Sequence, residues 1–139
     1  MPALYTDGSC LKNPGGPGGW AFLLLDGEKE WYSCAGNPRT TNNQMELMAV
    51  VMGLTFYKGC ECEIYTDSQY VMKCAKGEYK RHKNLELWKE YDKVSAGRCL
   101  EWHWVKGHSG DEYNEQVDKL ARECAYEARP RKRGTTRYN

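Results

Sequence analysis

Apolar positions in the amino-terminal third of the chain fall in the short runs that are typical of β-strands. These runs predict strands over residues 3–7, 20–25 and 30–36, with a glycine- and proline-rich loop at 13–19. Asp26-Gly27 predicts a two-residue hairpin turn of type I′, in which both central residues have positive φ. The first third is therefore predicted to be an antiparallel meander.

Helical spacing begins after residue 40, where apolar residues recur every three or four positions. Thr41 and Asn43 suit the start of a helix that runs to about residue 58, and Gly59 is expected to end it. The remaining predicted elements are a strand at 62–67, short helices capped by Ser68 and Asn84, a strand at 99–105, and a last helix with apolar positions between Val117 and Ala128.

The predicted element order is β-β-β-α-β-α-α-β-α, which indicates an α/β fold with a five-stranded mixed sheet flanked by helices. A β-α-β crossover returns the chain parallel to the strand it left. The strand ending at Asp67 is therefore expected to lie beside the strand ending at Asp7. Residues 1–128 form one predicted domain, and the basic residues 129–139 are expected to be a flexible tail.

Composition agrees with one globular domain and limits the classes of function. The 139 residues are 40% hydrophobic and 28% charged, and the net charge of +1 gives no general argument for a nucleic-acid partner. No apolar run approaches the roughly 20 residues that span a bilayer, and residues 1–5 lack a signal-peptide pattern. A reducing, cytoplasmic location is expected. The seven cysteines contain no C-x-x-C pair, and most are expected to be small buried hydrophobes.

Two strands end in the same way, as Tyr-Thr-Asp, at Asp7 and at Asp67. If the strands are neighbours in register, the two carboxylates emerge at one end of the sheet, roughly 5 Å apart by strand spacing. Their repulsion would raise one pKa or demand a divalent cation with oxygen ligands. Each aspartate alone would be interpreted as a cap, but the matched pair favours a metal site.

Three further residues have a functional and a structural interpretation. Glu46 is expected in the first turn of its helix, where it is either a capping-box glutamate or a catalytic one. Asp118 lies at the edge of an apolar helix face, and its structural interpretation is that of an ordinary surface residue. His108, between glycines, is either an exposed loop histidine or a residue that moves protons near neutral pH.

Four separated segments resemble the type 1 ribonuclease H family, over residues 4–128. They read TDGSCLxNPG at 6–15, RTTNNxMEL at 39–47, TDSQYV at 66–71 and WVKGHxGxxxNExxDxLA at 104–121. The resemblance implies a ribonuclease H-like fold and an endoribonuclease that cuts the RNA strand of RNA–DNA hybrids. It also implies 5′-phosphate and 3′-hydroxyl product ends.

The same resemblance implies roles for individual residues. Asp7, Glu46, Asp67 and Asp118 match the carboxylates that hold two Mg²⁺ ions, for which Mn²⁺ can substitute, and His108 matches the catalytic loop histidine. The positions that match substrate-binding residues are Cys10, Asn13, Asn42, Asn43 and Gln69 for the minor groove and 2′-hydroxyls, and Arg39 and Thr41 for a DNA phosphate. Helix capping and turn chemistry are the structural alternative for these polar residues.

The chain departs from longer members of that family at residues 77–83, which are too short for the basic handle that grips substrate and contain no tryptophan. A monomer that binds RNA–DNA hybrid without a membrane or an obligate protein partner is expected. Two alternatives stay open: a hybrid-binding domain without activity, and another nuclease of the same fold, such as an integrase or a junction resolvase.

Overall fold

The computed structural model describes residues 1–107 and 110–129, so His108 and the predicted tail from residue 130 lie outside the described residues. Its elements are β1 (Ala3–Cys10), β2 (Gly18–Asp26), β3 (Lys29–Asn37), α1 (Asn42–Phe56), β4 (Glu61–Thr66), α2 (Gln69–Ala75), α3 (Leu85–Ser95), β5 (Cys99–Trp104) and α4 (Glu112–Glu127). The predicted element order and the α/β class are confirmed. None of the described helices is long and apolar enough to cross a bilayer.

The sheet has five strands in the order β3-β2-β1-β4-β5, and β1 lies at its centre. β1, β2 and β3 pair antiparallel, whereas β1, β4 and β5 run parallel. The parallel register sets Tyr5 opposite Tyr65, so the two Tyr-Thr-Asp sequences are level with each other. The predicted mixed sheet and the predicted pairing of these strands are both confirmed.

Two apolar layers cover the central strand, because alternate residues of β1 face opposite sides of the sheet. Leu4 packs with α1, α2 and α3 in the larger core, which includes Phe22, Leu47, Val50, Leu54, Ile64 and Trp88. Tyr5 packs with α4 in the smaller core, which includes Ala21, Leu23, Val117 and Ala121. The strand that carries Asp7 is therefore held from both faces.

The predicted hairpin forms one residue later than expected. Asp26 pairs with Lys29, so Gly27 and Glu28 are the central residues, and only Gly27 has positive φ, at 63°. The type I′ prediction is thus wrong, because a single glycine at the first central position satisfies the turn and leaves Glu28 unstrained.

The predicted end of α1 is wrong, whereas the predicted cap residue of α3 is confirmed in position but not in its hydrogen bond. α1 ends at Phe56 because Tyr57 adopts an extended backbone, so Gly59 does not terminate it. Asn84 stands at the start of α3, but its side chain makes no cap hydrogen bond. Its Nδ2 donates instead to the hydroxyl of Tyr70, at 3.1 Å. In contrast, Thr41 and Ser68 cap α1 and α2 as predicted.

The prediction that most cysteines are buried is wrong. Cys62 and Cys74 are buried, Cys60 and Cys99 are exposed, and the other three are half-buried. Cys60 immediately precedes β4, and Cys99 is the first residue of β5. Cys34 of β3 and Cys124 of α4 are free thiols whose sulfur atoms lie 2.8 Å apart.

α4 rests directly on strand backbone at two glycines, Gly19 of β2 and Gly36 of β3. A Cβ at Gly19 would overlap the carbonyl oxygen of Ala121 and lie 2.7 Å from the nitrogen of Ala125. A Cβ at Gly36 would lie 2.6 Å from the carbonyl oxygen of Cys124. Both positions therefore need glycine because helix and sheet approach closely.

We expect Gly19→Ala to lower the free energy of unfolding by about 1–3 kcal/mol, because the added methyl forces α4 away from the sheet. Urea denaturation of the variant and the parent measures this difference. Ser33→Ala, at an exposed position of β3, is the matched control and should change stability little. Equal losses in the two variants would contradict the close approach of α4.

Candidate active site

Three carboxylates converge at the carboxyl end of the central strands. Asp7 comes from β1, Asp67 directly follows β4, and Glu46 comes from α1; one oxygen from each lies within 4.8 Å of the others. The parallel register explains the first two, because a residue offset of 60 that pairs Tyr5 with Tyr65 also levels Asp7 with Asp67. The structure thus brings together three of the four acids that the sequence singled out as metal-binding candidates.

Glu46 of α1 reaches this cluster beside the backbone of β1. The amide nitrogen of Gly8 donates to Glu46 Oε1 at 2.9 Å. A Cβ at Gly8 would overlap the backbone of Glu46 and lie 2.7 Å from Met45 Cβ. Gly8 therefore lets the helix lie against β1. No role of Gly8 was predicted from the sequence, although a glycine inside a strand is a signal of such close approach.

The capping interpretation of Glu46 is wrong. Thr41 is the cap of α1, its side chain accepts from the amide of Gln44 at 3.1 Å, and the first turn contains no acidic residue. Glu46 lies one turn further along, on the side of the helix that faces β1. Its carboxylate is therefore free for the cluster rather than engaged at the helix start.

The electrostatics of the cluster favour a cation. Asp7 is 2% exposed, and burial, followed by the charges of Asp67 and Asp118, raises its pKa to about 9. Burial and then the charge of Asp7 raise the pKa of Glu46 well above its usual range. Among the described residues, Asp67 Oδ1 is a buried oxygen without a hydrogen-bond partner. Clustered carboxylate oxygens with a free acceptor fit a hard divalent ion such as Mg²⁺.

Asp118 borders the cluster from α4. Its charge and a side-chain hydrogen bond with Asp7 both contribute to the raised pKa of Asp7. Its Oδ2 also pairs with Arg122 one turn further along the helix, at 3.2 Å. Asp118 is not one of the three acids whose oxygens all lie within 4.8 Å of one another. The fourth predicted carboxylate is therefore adjacent to the cluster, at its edge.

The segment after β5 approaches Asp67 closely. The indole Nε1 of Trp104 donates to the backbone oxygen of Asp67 at 3.1 Å. The backbone amide of Val105 donates to the carbonyl oxygen of Thr66 at 2.8 Å. A Cβ at Gly107 would lie 3.1 Å from Asp67 Oδ2. This segment leads into His108, which lies outside the described residues. The contact of Trp104 with Asp67 was not predicted from the sequence.

The predicted substrate-binding residues surround the start of α1 and the end of β1. Asn13 Oδ1 accepts from the amide of Asn42 at 3.1 Å, and the thiol of Cys10 lies 3.5 Å from the carbonyl of Thr40. These contacts fasten the loop after β1 to the helix. Five of the predicted residues are exposed, namely Asn13, Arg39, Asn42, Asn43 and Gln69. Thr41 is the cap of α1, so its predicted structural role is present.

Comparison with known proteins places this arrangement in a family. The sequence pattern of the RNase H family matches residues 2–126. Ribonuclease HI of Caulobacter vibrioides is 44% identical, over 92% of this chain and 95% of the relative. Ribonuclease H of Legionella pneumophila (strain Lens) is 46% identical, over 85% of this chain and 92% of the relative.

Solved structures agree on the fold. The amino-terminal RNase H domain of a Mycobacterium tuberculosis protein superposes with a TM-score of 0.81 at 21% identity, covering 91% of this chain and 94% of that one. LC11-RNase H1, solved in complex with an RNA/DNA hybrid, superposes with a TM-score of 0.78 at 23% identity, covering 92% and 99%. With the family pattern and the curated relatives, these matches show that the chain belongs to the type 1 ribonuclease H family of hydrolases.

Proposed function

We propose that this protein is a metal-dependent endoribonuclease that hydrolyses the RNA strand of RNA–DNA hybrids. The observation that carries the proposal is the convergence of Asp7, Glu46 and Asp67 around a buried carboxylate oxygen that has no hydrogen-bond partner within residues 1–107 and 110–129. The names of the relatives support the activity, and the hybrid in the complex of LC11-RNase H1 supports the substrate. An inactive hybrid-binding domain would have no use for acids held together at such electrostatic cost.

Asp7, Glu46, Asp67 and Asp118 would hold two Mg²⁺ ions, for which Mn²⁺ can substitute. Bound ions of this kind supply an activated water and stabilise charge on the leaving oxygen of an in-line displacement. Cleavage between phosphorus and the 3′ oxygen of the ribose would leave 5′-phosphate and 3′-hydroxyl ends. The role of His108 in proton transfer stays a prediction from the family resemblance, because this residue lies outside the described residues.

The chain itself positions these acids. Gly8 orients Glu46 through its amide, and Trp104 holds the backbone of Asp67. Arg122 pairs with Asp118 and balances part of its charge. These contacts would keep the carboxylates aimed at one point, so that little rearrangement is needed when substrate phosphate arrives.

Hybrid recognition would come from polar side chains beside the acids. Asn43 is the second residue of α1 and Gln69 begins α2, and both are exposed. Together with Cys10, Asn13 and Asn42 they offer donors and acceptors to the 2′-hydroxyl, the group that separates RNA from DNA. Arg39 and Thr41 would hold a phosphate of the DNA strand, which a guanidinium binds in bidentate fashion.

We expect Asp67→Asn to reduce Mg²⁺-dependent cleavage of a labelled hybrid by more than about 100-fold, since even outer-shell changes around metal ligands cost about 10–100-fold. Asp26→Asn, in the exposed end of β2, is the matched control and should cleave like the parent. A gel assay with hybrid, DNA duplex and RNA duplex measures both. Normal cleavage by Asp67→Asn would refute the proposal, and cleavage of DNA duplex would favour another nuclease of the fold.

Without divalent ions, we expect the fold to lose stability as the pH rises. The pKa of Asp7 is about 9 in the folded protein and near 3.9 in an unfolded chain. The folded state thus binds this proton more tightly, so the contribution is complete below about pH 4 and is lost towards pH 9. Urea denaturation at pH 5.5 and pH 8 in a chelator should show the lower stability at pH 8.

Mg²⁺ should reverse this trend, because a cation favours the charged carboxylates that folding otherwise penalises. Added Mg²⁺ should therefore stabilise the protein more at pH 8 than at pH 5.5. Asp7→Asn removes one of the two carboxyl groups with a raised pKa, the other being Glu46, and should reduce the pH dependence in the chelator. A stability that is independent of both pH and Mg²⁺ in the parent protein would contradict the electrostatic description of the cluster.

We expect Gln69→Ala to lower kcat/KM on hybrid by about 2- to 12-fold, the value of one hydrogen bond of about 0.5–1.5 kcal/mol. The residue is exposed at the start of α2, so the thermal midpoint should not change. Gln116→Ala, exposed on α4, serves as the matched control. An unchanged kcat/KM for Gln69→Ala would remove this residue from the proposed recognition surface.

A further inference from the structure

A second group of metal-ligating side chains lies on β4 and β5, away from the acidic site. Glu63, Glu101 and His103 each offer a ligand atom within 4.8 Å of the others. We call them the β4–β5 cluster. Glu63 lies four residues before Asp67 along the chain, which corresponds to roughly 13 Å of strand. The cluster is thus a separate site, and the proposed hydrolysis makes no use of it.

Strand register creates this cluster. Glu63 lies directly opposite Glu101, and Tyr65 lies directly opposite His103. Two carboxylates facing each other across neighbouring strands repel unless positive charge lies between them. His103 Nε2 occupies that position, 3.0 Å from Glu63 Oε1 and 3.4 Å from Glu101 Oε1. One nitrogen therefore faces both oxygens, which leaves room for either one proton or one cation.

The spacing suits a cation with short bonds. Zn²⁺ binds histidine nitrogen and carboxylate oxygen at about 2.0–2.2 Å in tetrahedral geometry, so neighbouring ligand atoms lie about 3.3–3.6 Å apart around it. His103 Nε2 lies 3.4 Å from Glu101 Oε1 and 3.0 Å from Glu63 Oε1, so a small outward movement of the Glu63 carboxylate would admit the ion. The side chain of Glu101 is 58% exposed, so it can adjust to complete the site and leave a position for water.

Neighbouring aromatic rings hold the ligands in place. The His103 ring stacks on Tyr65 with centroids 4.6 Å apart, and Tyr65 stacks on Tyr5 at 4.4 Å. The hydroxyl of Tyr65 donates to Glu63 Oε1 at 3.4 Å. Support of this kind fixes ring orientation and carboxylate position, as outer-shell partners do at metal sites.

We propose that Glu63, Glu101 and His103 bind one late first-row transition metal ion of the Zn²⁺ type and thereby clamp β5 to β4. An imidazole with two carboxylates suits such ions, whereas Mg²⁺ prefers oxygen ligands alone. The cluster should therefore select a different metal from the acidic site. Its role is structural, because β5 leads directly into the segment that contacts Asp67.

The test needs a background protein in which binding of the added metal by the acidic site and by the two exposed thiols is weakened or removed. Asp7→Asn with Asp67→Asn weakens the acidic site, and Cys60→Ser with Cys99→Ser removes the two exposed thiols. Circular dichroism verifies that this background protein folds. Calorimetric titration with Zn²⁺ in the presence of excess Mg²⁺ should then show one ion bound per chain. Zn²⁺ should also raise the thermal midpoint, since it binds the folded state.

His103→Gln in this background should weaken Zn²⁺ binding by at least about tenfold and remove the shift in the thermal midpoint. Glu101→Gln, at an exposed side chain that the fold does not need, should weaken binding in the same direction. His82→Gln, at an exposed histidine between α2 and α3, is the matched control and should bind Zn²⁺ like the background protein.

Three outcomes would overturn the site: no Zn²⁺ binding by the folded background protein, binding that survives His103→Gln, or an equal loss in His82→Gln. The first would mean that a proton alone bridges the imidazole and the carboxylates. Co²⁺ gives an independent readout, because its visible absorption should change when the imidazole binds and should revert in His103→Gln. Hybrid cleavage by the parent protein is unaffected by these outcomes, so the two proposals fail separately.

Discussion

Repulsion between buried carboxylates at the end of the central strand is the constraint on which the rest of the structure depends. Asp7 has a strand on either side and a helical layer on each face, so water cannot disperse its charge. Glu46 and Asp67 add negative charge within a few ångströms. Such a cluster opposes folding, and it persists because two apolar cores hold the strands and helices that carry it. Strain is thus concentrated at the proposed active site.

Much of the site could be predicted from the sequence because strand register is a strong constraint. Asp7 and Asp67 each follow a Tyr-Thr pair on neighbouring parallel strands, and one crossover sets them level, so their convergence follows from topology. Glu46 could not be placed in the same way. Helical periodicity gives the direction of a side chain around the axis, whereas its contact with β1 depends on how closely α1 approaches. That distance is set by Gly8, which lies far from Glu46 in the sequence.

The wrong predictions have one physical source, which is that local signals are weak beside tertiary contacts. Asn84 is a good cap by residue type, yet its amide finds the hydroxyl of Tyr70. The hairpin after β2 lies one residue later than predicted, because one glycine with positive φ is compatible with more than one turn type and turn position. Burial of a cysteine depends on its position along a strand, and Cys60 and Cys99 stand at the starts of β4 and β5, where they are exposed.

The glycine contacts beneath α4 have a consequence for the precision of the site. Where side chains separate two elements, a substitution in the core can be absorbed by small shifts that change their spacing. At Gly19 and Gly36 the helix rests on peptide groups, which cannot be shortened or repacked. The height of α4 above the sheet is therefore set by main-chain thickness. Neighbouring apolar residues can therefore be substituted in the course of evolution while Asp118 keeps its position.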